Sequence, residues 1–559
     1  MGKKLRKKSS LKKKKGDQGF LPEEKSNGLS SLQKDKILWI IVSIVFLLVL
    51  YVRIRLLSTP LERDEGEYAY MGQLLLKGII PFKEAFNMKF PGTSMMYAVI
   101  MFIFGQTTVG IHIGLLLINA GSVFLLFLLY KRWSGSKSNA IIASSVFAFL
   151  AINPAVLGFA AHATHFVVFF SLAGLVLLYR AFSQSKLLLY FFSGLMFGSA
   201  VLMKQPAIFF VLIGIILIAR QYFNKPLQTK DLIKYSIVFI TGFFFPLILL
   251  VVILKVGGTF DRFWFWTIQY GIQYGSVVTF HQGVELFRRT FIHIFSQSYL
   301  FWILDVAGLF FLIINKSWKN SGIEIILFFI FSFIAIVPGL YFRRHYFIML
   351  LPSVSILFVE GLFYLKNNIK RVKLSDNGFI MTLVIIILWT LISNSSYYLS
   401  DSPEVIVKKT YGANPFNESI PISEFIASRT NPDDRIQVIG SEPQIYFYSH
   451  RMAASGHIYM YGLMEPQKYS SMMQQELIND IARVNPKYIV YCNIKNSWLA
   501  RSNSDDHILN WSKDFIYKYY NVVGVVDMGE ETIYKWMNDA VSYQPISQNF
   551  IYVLERKGQ

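Results

Sequence analysis

The sequence is short of charge and almost free of cysteine. Charged residues make up 16% of the chain, against roughly 25% in soluble proteins. The hydrophobic fraction is 53% and the mean hydropathy is +0.42. A soluble fold with that balance could not cover its own surface with polar groups, so lipid has to cover it. Cys492 is the only cysteine, which excludes an intrachain disulfide. Nothing resembles a cleavable signal peptide either. The apolar run after Lys36 is too long for a signal-peptide core and lacks a small-residue cleavage site, so it is expected to stay as a spanning helix. Acidic residues are the minority: 34 Asp and Glu stand against 55 Lys and Arg, a net charge of +21. Such a surplus suggests nucleic acid, but its placement points to a membrane surface. Two clusters, Lys3-Lys4-Leu5-Arg6-Lys7-Lys8 and Lys12 to Lys15, precede the first apolar run. Many of the other Lys and Arg sit in short segments between apolar runs, as cytoplasmic loops and tails facing anionic lipid do.

A spanning helix needs about 20 apolar residues. Such runs lie near 37–57, 108–130, 139–154, 164–182, 187–204, 206–222, 233–256, 299–315, 322–341, 345–365 and 378–395, while Met95 to Phe104 is about half as long. Parity decides how to count the short one. With the N-terminus inside and 95–104 not crossing, the inner loops hold Lys131, Arg132, Lys137, Arg180, Lys186, Arg220, Lys225 and Lys230. Lys316, Lys319, Lys366, Lys370, Arg371 and Lys373 fall inside too, as the positive-inside rule asks. Counting 95–104 as a span would invert every later loop. The expected fold class is a polytopic α-helical membrane protein of about eleven transmembrane helices with a C-terminal extracytoplasmic mixed α/β domain. Its expected parts are a basic cytoplasmic tail (1–36), a membrane domain (37–395) with outer loops 58–107 and 257–298, and the outer domain (396–559).

The outer face carries the chemistry. In Pro60-Leu61-Glu62-Arg63-Asp64-Glu65-Gly66-Glu67-Tyr68, four carboxylates fall within six residues at the membrane surface, where unsolvated charge is costly. One reading is a wet loop capping the next helix, with Asp64 as N-cap and Glu67 at N3. The other is a general base at the mouth of a cavity. Lys89 stands before the turn Pro91-Gly92, and could be an interfacial anchor or a phosphate ligand. Two short-loop clusters defy the charge rule: Lys204-Gln205-Pro206 and Arg343-Arg344-His345-Tyr346. Each alone could snorkel; together with Lys89 they could form a cationic pocket for an anionic headgroup. His162 and His165 could share a helix face and a metal, with Glu67 as a further metal or acceptor candidate. No third ligand is evident, although a divalent cation stays open. The loop 257–298 is rich in aromatics (Phe263, Trp264, Phe265, Trp266, Tyr270, Tyr274), expected as an interfacial belt, though such rings also stack on sugars.

The run from Arg63 to Tyr70, then Lys89-Phe90-Pro91-Gly92, then a half-length apolar helix ending at Gly105, resembles the first outer loop of family 39 glycosyltransferases. These GT-C-fold enzymes include protein O-mannosyltransferases and lipid A aminoarabinose transferases. Lys204-Gln205 and the Arg-His-Tyr start of a late helix match loosely. The resemblance spans roughly 37–395 and is most specific in 60–105. It implies transfer of a sugar from a polyprenyl-phosphate donor to a lipid, glycan or protein acceptor on the outer face, with inversion, in a bacterial inner membrane. It places the catalytic base on Asp64 with Glu65 beside it, and assigns Lys89, Lys204, Arg343, Arg344 and His345 to the donor phosphate. Met88 stands where aminoarabinose transferases carry Glu, so that role has no carrier here. His165 falls where relatives often have an acidic residue. Partners beyond donor and acceptor are membrane lipids, and not nucleic acid.

Beyond about Ser396 the pattern turns to short strands. Arg435 to Gly440, Lys487 to Tyr491, Asn521 to Val526, Thr532 to Trp536 and Phe550 to Leu554 are predicted strands, with helices near 466–484 and 505–519. Ser441-Glu442-Pro443 could be a ligand loop or a turn with an N-cap. A lipid-linked glycan transporter or flippase is the alternative function, and would require charge at mid-membrane depth. A glycan polymerase or ligase and an inactive scaffold are further readings.

Overall fold

A computed structural model describes residues 31–224, 228–314, 322–368 and 376–558. Most of the basic tail lies outside these residues, as do Lys225, Lys316, Lys319, Lys370, Arg371 and Lys373. The first half of the chain is helical: α1 (Ser31–Arg55), α2 (Arg63–Leu76), α3 (Gly92–Phe104), α4 (Thr108–Ser134), α5 (Lys137–Leu150), α6 (Ala163–Gln184), α7 (Leu187–Met203), α8 (Ile208–Asn224) and α9 (Thr229–Val256). Among the described residues α1, α4, α6 and α9 are long and apolar enough to cross a membrane. Phe280–Gln297 and Tyr299–Ile314 would make a fifth as one span, but the pair is bent by 106°. Every other expected span is also an apolar helix, of 10–17 residues, and so is the half-length run, here α3. The run 322–341 stops short, at Ala335, because Pro338 and Gly339 follow and cannot continue a helix. The chain resumes in a 3₁₀ turn, Arg344–Met349, before helix Leu351–Asn368.

Bulky apolar side chains fill much of the space between helices, but several crossings need the absence of a side chain, and one of them shapes the site. A Cβ at Gly92 would lie 2.5 Å from the backbone of Leu202, so only glycine lets α3 start against the end of α7. That contact brings Lys89, just before α3, and Lys204, just after α7, to the same side of the bundle.

The C-terminal domain, the one expected outside, is built on a six-stranded mixed sheet. Its strands are β1 (Arg435–Ile439), β2 (Met452–Ala453), β3 (Tyr488–Asn493), β4 (Tyr520–Met528), β5 (Thr532–Trp536) and β6 (Phe550–Arg556), in the order β2-β1-β3-β6-β4-β5. The β2-β1-β3 half is parallel and the β6-β4-β5 half antiparallel. All five predicted strands are present. The two-residue β2 is too short to leave a periodic signal.

The domain docks on α2. Arg63 pairs with Glu442 at 2.8 Å, reaches the Tyr461 hydroxyl at 2.8 Å, and also donates to the Ser441 carbonyl. A Cβ at Gly66 would lie 2.6 Å from Gln444, so the two backbones meet there directly. Arg435 pairs with Glu84 at 2.9 Å, and the Tyr70 hydroxyl accepts the Ala453 N–H at 2.8 Å. The Ser441-Glu442-Pro443 turn therefore serves as a docking socket and leads into helix Gln444–Ser449, as its turn reading anticipated.

Candidate active site

A cavity of about 350 Å³ opens between the helical bundle and the outer domain. Its acidic wall comes from α2. The expected capping by Asp64 and Glu67 is not what forms: Glu62 is the N-cap, accepting the Glu65 N–H at 3.0 Å, while Glu65 accepts the Glu62 N–H at 3.4 Å. The other two carboxylates are thereby released. Asp64 and Glu67, three residues apart on one helical face, both point into the cavity and clasp the Lys89 ammonium, at 3.0 and 2.8 Å. Lys89 also lies 4.7 Å over the Tyr68 ring.

Glu65 does not join them. It is 1% exposed and faces the bundle, where it bonds His112 Nε2 at 3.0 Å and accepts the Ala161 N–H at 2.6 Å. Glu65, expected beside the catalytic base, thus ties α2 to α4 and to the loop before α6.

The opposite wall is cationic and aromatic. The Lys204 ammonium sits 3.9 Å over the Tyr346 ring, and Arg343 stands 5.5 Å over Tyr341. Neither forms an ion pair among the described residues, and both line the cavity. Arg344 does not. It donates to the carbonyls of Ala155, at 2.9 Å, and Pro154, pinning that loop. Arg344, expected among the phosphate ligands, is directed at that loop instead of the cavity.

His345 lines the cavity stacked on His162, with centroids 4.0 Å apart and planes within 14°. His165 is one turn along α6, buried away from the cavity with its Nε2 unpartnered, so the His162–His165 pairing does not form. The close trio is instead Asp64, His162 and His345, whose donor atoms lie within 4.8 Å of one another. A metal shared by both imidazoles must lie in both ring planes, and nearly parallel stacked rings share none. Lys89 also holds Asp64. The trio as arranged does not fit a metal ion, and no step below uses one.

Electrostatics separate the groups. Burial opposes ionisation of Asp64, but Lys89, His162 and Lys204 outweigh it and hold the carboxyl below the usual carboxylate range. Burial raises Glu67, although Lys89 partly offsets it. Burial, then Lys89, lowers Lys204 to about 7. Burial likewise lowers His162 to about 4, leaving a neutral ring at pH 7.

The roof was not anticipated from sequence. Trp266, Tyr270 and Tyr274 of the outer loop enter the cavity, so part of the expected aromatic belt turns inward. A π turn at Phe265–Tyr270 re-aims these rings, and the Tyr270 hydroxyl donates to Glu465 at 2.9 Å. His457, Tyr459 and Tyr461 of the outer domain also line it. Their signal was the alternation in Gly456-His457-Ile458-Tyr459-Met460-Tyr461, which an extended segment presents on one side.

An apolar bundle with a half-length helix after the first outer loop, and an acid–lysine site opening to a mixed α/β domain, defines an integral membrane protein of the GT-C fold. Residues 89–253 match the family described as dolichyl-phosphate-mannose-protein mannosyltransferase. Among solved structures the chain is similar to the archaeal oligosaccharyltransferase AglB from Archaeoglobus fulgidus, in complex with an inhibitory peptide and a dolichol-phosphate. That match is 12% identical with a TM-score of 0.50, covering 92% of this chain and 75% of that one. It is similar also to ArnT from Cupriavidus metallidurans, both bound to undecaprenyl phosphate and in the apo state. These are 13% identical, with TM-scores of 0.50 and 0.51, covering 94% of this chain and 98% of that one. No curated protein matches by sequence. The expected resemblance to GT-C glycosyltransferases is borne out.

Proposed function

We propose that this chain transfers a sugar from a polyprenyl-phosphate donor to an acceptor hydroxyl at the outer membrane face, with inversion at the anomeric carbon. The observation that carries it is the pairing of Asp64 with a cavity whose other wall holds two cations, the half-buried Lys204 and the exposed Arg343, without carboxylate partners among the described residues. Two such charges facing one cavity attract an anion, and a phosphodiester has the matching charge. The family and the solved structures above, two of them holding polyprenyl phosphates, support the same donor class.

In the transfer, the acceptor oxygen attacks the anomeric carbon as the bond from that carbon to the phosphate oxygen breaks. Asp64 accepts the acceptor proton. Polyprenyl phosphate leaves with the bond electrons, its charge met by Lys204 and Arg343. Lys89 couples the two ends. While bound to Asp64 it weakens that base, and an entering phosphate draws the ammonium toward itself and returns basicity to the carboxylate. Glu67 keeps hold of the ammonium throughout. His162 and His345, neutral and stacked, form the wall between base and phosphate. The same reading places the N-terminal tail (1–36) inside, the membrane domain at 37–395 with about eleven crossings, and residues 396–559 outside, in a bacterial inner membrane.

The test is transfer in membranes supplied with labelled polyprenyl-phosphate sugars. Asp64→Asn keeps shape but cannot accept the proton, and should lower turnover about 10²–10⁴-fold at normal expression. Equal turnover would remove Asp64 from the mechanism. A wild-type protein that moves lipid-linked glycan across vesicles without releasing polyprenyl phosphate would establish the flippase alternative. That alternative needs a charge relay at mid-membrane depth. Asp305, buried in Tyr299–Ile314 with both oxygens unpartnered, stands isolated rather than in such a relay.

A further inference from the structure

A second groove lies on the outer domain, away from the cavity described above. It has a volume of about 790 Å³ and runs across β3, β6 and β4 under helix His507–Tyr519. Its floor is aromatic. Tyr491 of β3 is registered against Tyr552 of β6, and Asn493 against Phe550, so alternate residues of neighbouring strands face the groove. Phe550 and Tyr552 stand 4.8 Å apart. Tyr517 overhangs the rim at 86% exposure, a large ring left in water on a domain whose other face is well packed.

The charge is of one sign. Lys513 and Lys557 are the charged residues lining the groove, and no carboxylate lines it among the described residues. Lys513 lies one turn before Tyr517 on the same helix, and forms no ion pair among the described residues. The Lys557 ammonium is fixed at the rim by the Tyr517 carbonyl at 2.8 Å. A peptide would seek a free strand edge for backbone pairing, but β3, β6 and β4 are all paired on both sides, and only β2 and β5 are edges. Flat rings flanked by side-chain amides and cations suit a different ligand: pyranose faces stack on the rings, hydroxyls bond the amides, and acidic substituents meet the lysines.

A single buried ring, Trp498, stands between the groove and the reaction cavity. The Tyr491 ring lies 6.4 Å from that of Trp498, and the next residue, Leu499, lines the cavity. We propose that this groove binds an anionic glycan, bearing carboxylate or phosphate groups, and holds it as the acceptor chain whose end enters the cavity. The acceptor role rests on the transferase reading above; the binding site itself does not.

The test uses full-length protein in nanodiscs, titrated with hyaluronan fragments, a phosphorylated mannan fragment, neutral maltoheptaose and a Ser/Thr-rich peptide. Either anionic glycan should bind, more weakly at high salt and more tightly than maltoheptaose. Which of the two binds identifies the substituent. The double variant Lys513→Gln/Lys557→Gln, on the surface and safe for folding, should weaken binding about tenfold, and Tyr552→Ala should weaken it further. Polyprenyl-phosphate binding should be unchanged in the lysine variant. The proposal is overturned if no anionic glycan binds, if the lysine variant binds as wild type does, or if the peptide competes for the groove. Loss of donor transfer with glycan binding intact would count against the transferase reading alone.

Discussion

Four carboxylates of one helical turn and its cap divide into two pairs, and the division decides their chemistry. Glu62 and Glu65 satisfy the orphan N–H groups at the start of α2 and brace it. Asp64 and Glu67 are left for Lys89. Glu65→Gln therefore belongs to stability rather than to chemistry. It keeps the shape but weakens charge-assisted bonds to His112 and to the Ala161 N–H, and should cost about 1–3 kcal/mol, read as a lower unfolding midpoint with turnover per folded molecule retained. Lys204 supplies a pH test. Its ammonium is lowered to about 7, chiefly by burial, so its charge is present below that pH and lost as pH rises through it. Donor binding needs the charge, so the donor KM should climb above pH 7 in wild type. Lys204→Arg stays protonated and should flatten that climb; an unchanged climb would exclude Lys204 as its origin.

At the scale of elements, the site depends on how closely two helix ends approach. Lys89 precedes α3 and Lys204 follows α7, and the Gly92–Leu202 contact sets the distance between them. A methyl group there meets backbone, which cannot rotate away, so Gly92→Ala should force the helices apart at about 1–3 kcal/mol. Displacing a binding lysine relative to the base should lower kcat for the donor more than the loss of stability explains. Full turnover at unchanged stability would show that the junction can slide. The π turn in the outer loop acts at the same scale: a one-residue register change brings Trp266 and Tyr270 into the cavity roof.

At the scale of the whole molecule, the cavity exists only because the outer domain sits on α2. Arg63 carries much of that dock, held by Glu442 at 2.8 Å in a pair whose Glu442 side chain is fully buried. Removing one partner strands the other charge in a dry interface, at about 3–5 kcal/mol. Arg63→Met should loosen the domain, reported by faster proteolysis between residues 401 and 412, and should abolish transfer although Asp64 is intact. The double variant Arg63→Met/Glu442→Leu removes both charges and should restore part of the protease resistance.

Several features were legible in the sequence by itself. Long apolar runs have one stable home, so a helical membrane protein followed from hydropathy, and parity of the basic loops marked 95–104 as the odd helix. The acidic cluster, Lys89, Lys204 and Arg343 stood out because charge is costly beside lipid. Which carboxylate caps and which reacts was not legible, because Glu62, Asp64, Glu65 and Glu67 are equivalent at the level of spacing until α2 takes its phase. Arg343 and Arg344 are adjacent and alike, yet backbone direction sends one to the cavity and the other to the Pro154 and Ala155 carbonyls. The partners that decided these roles, Ala161, His345, Tyr461 and Glu442, lie from about one hundred to four hundred positions away from them in the chain. Periodicity reaches one or two turns along a chain; only packing selects among groups that distant.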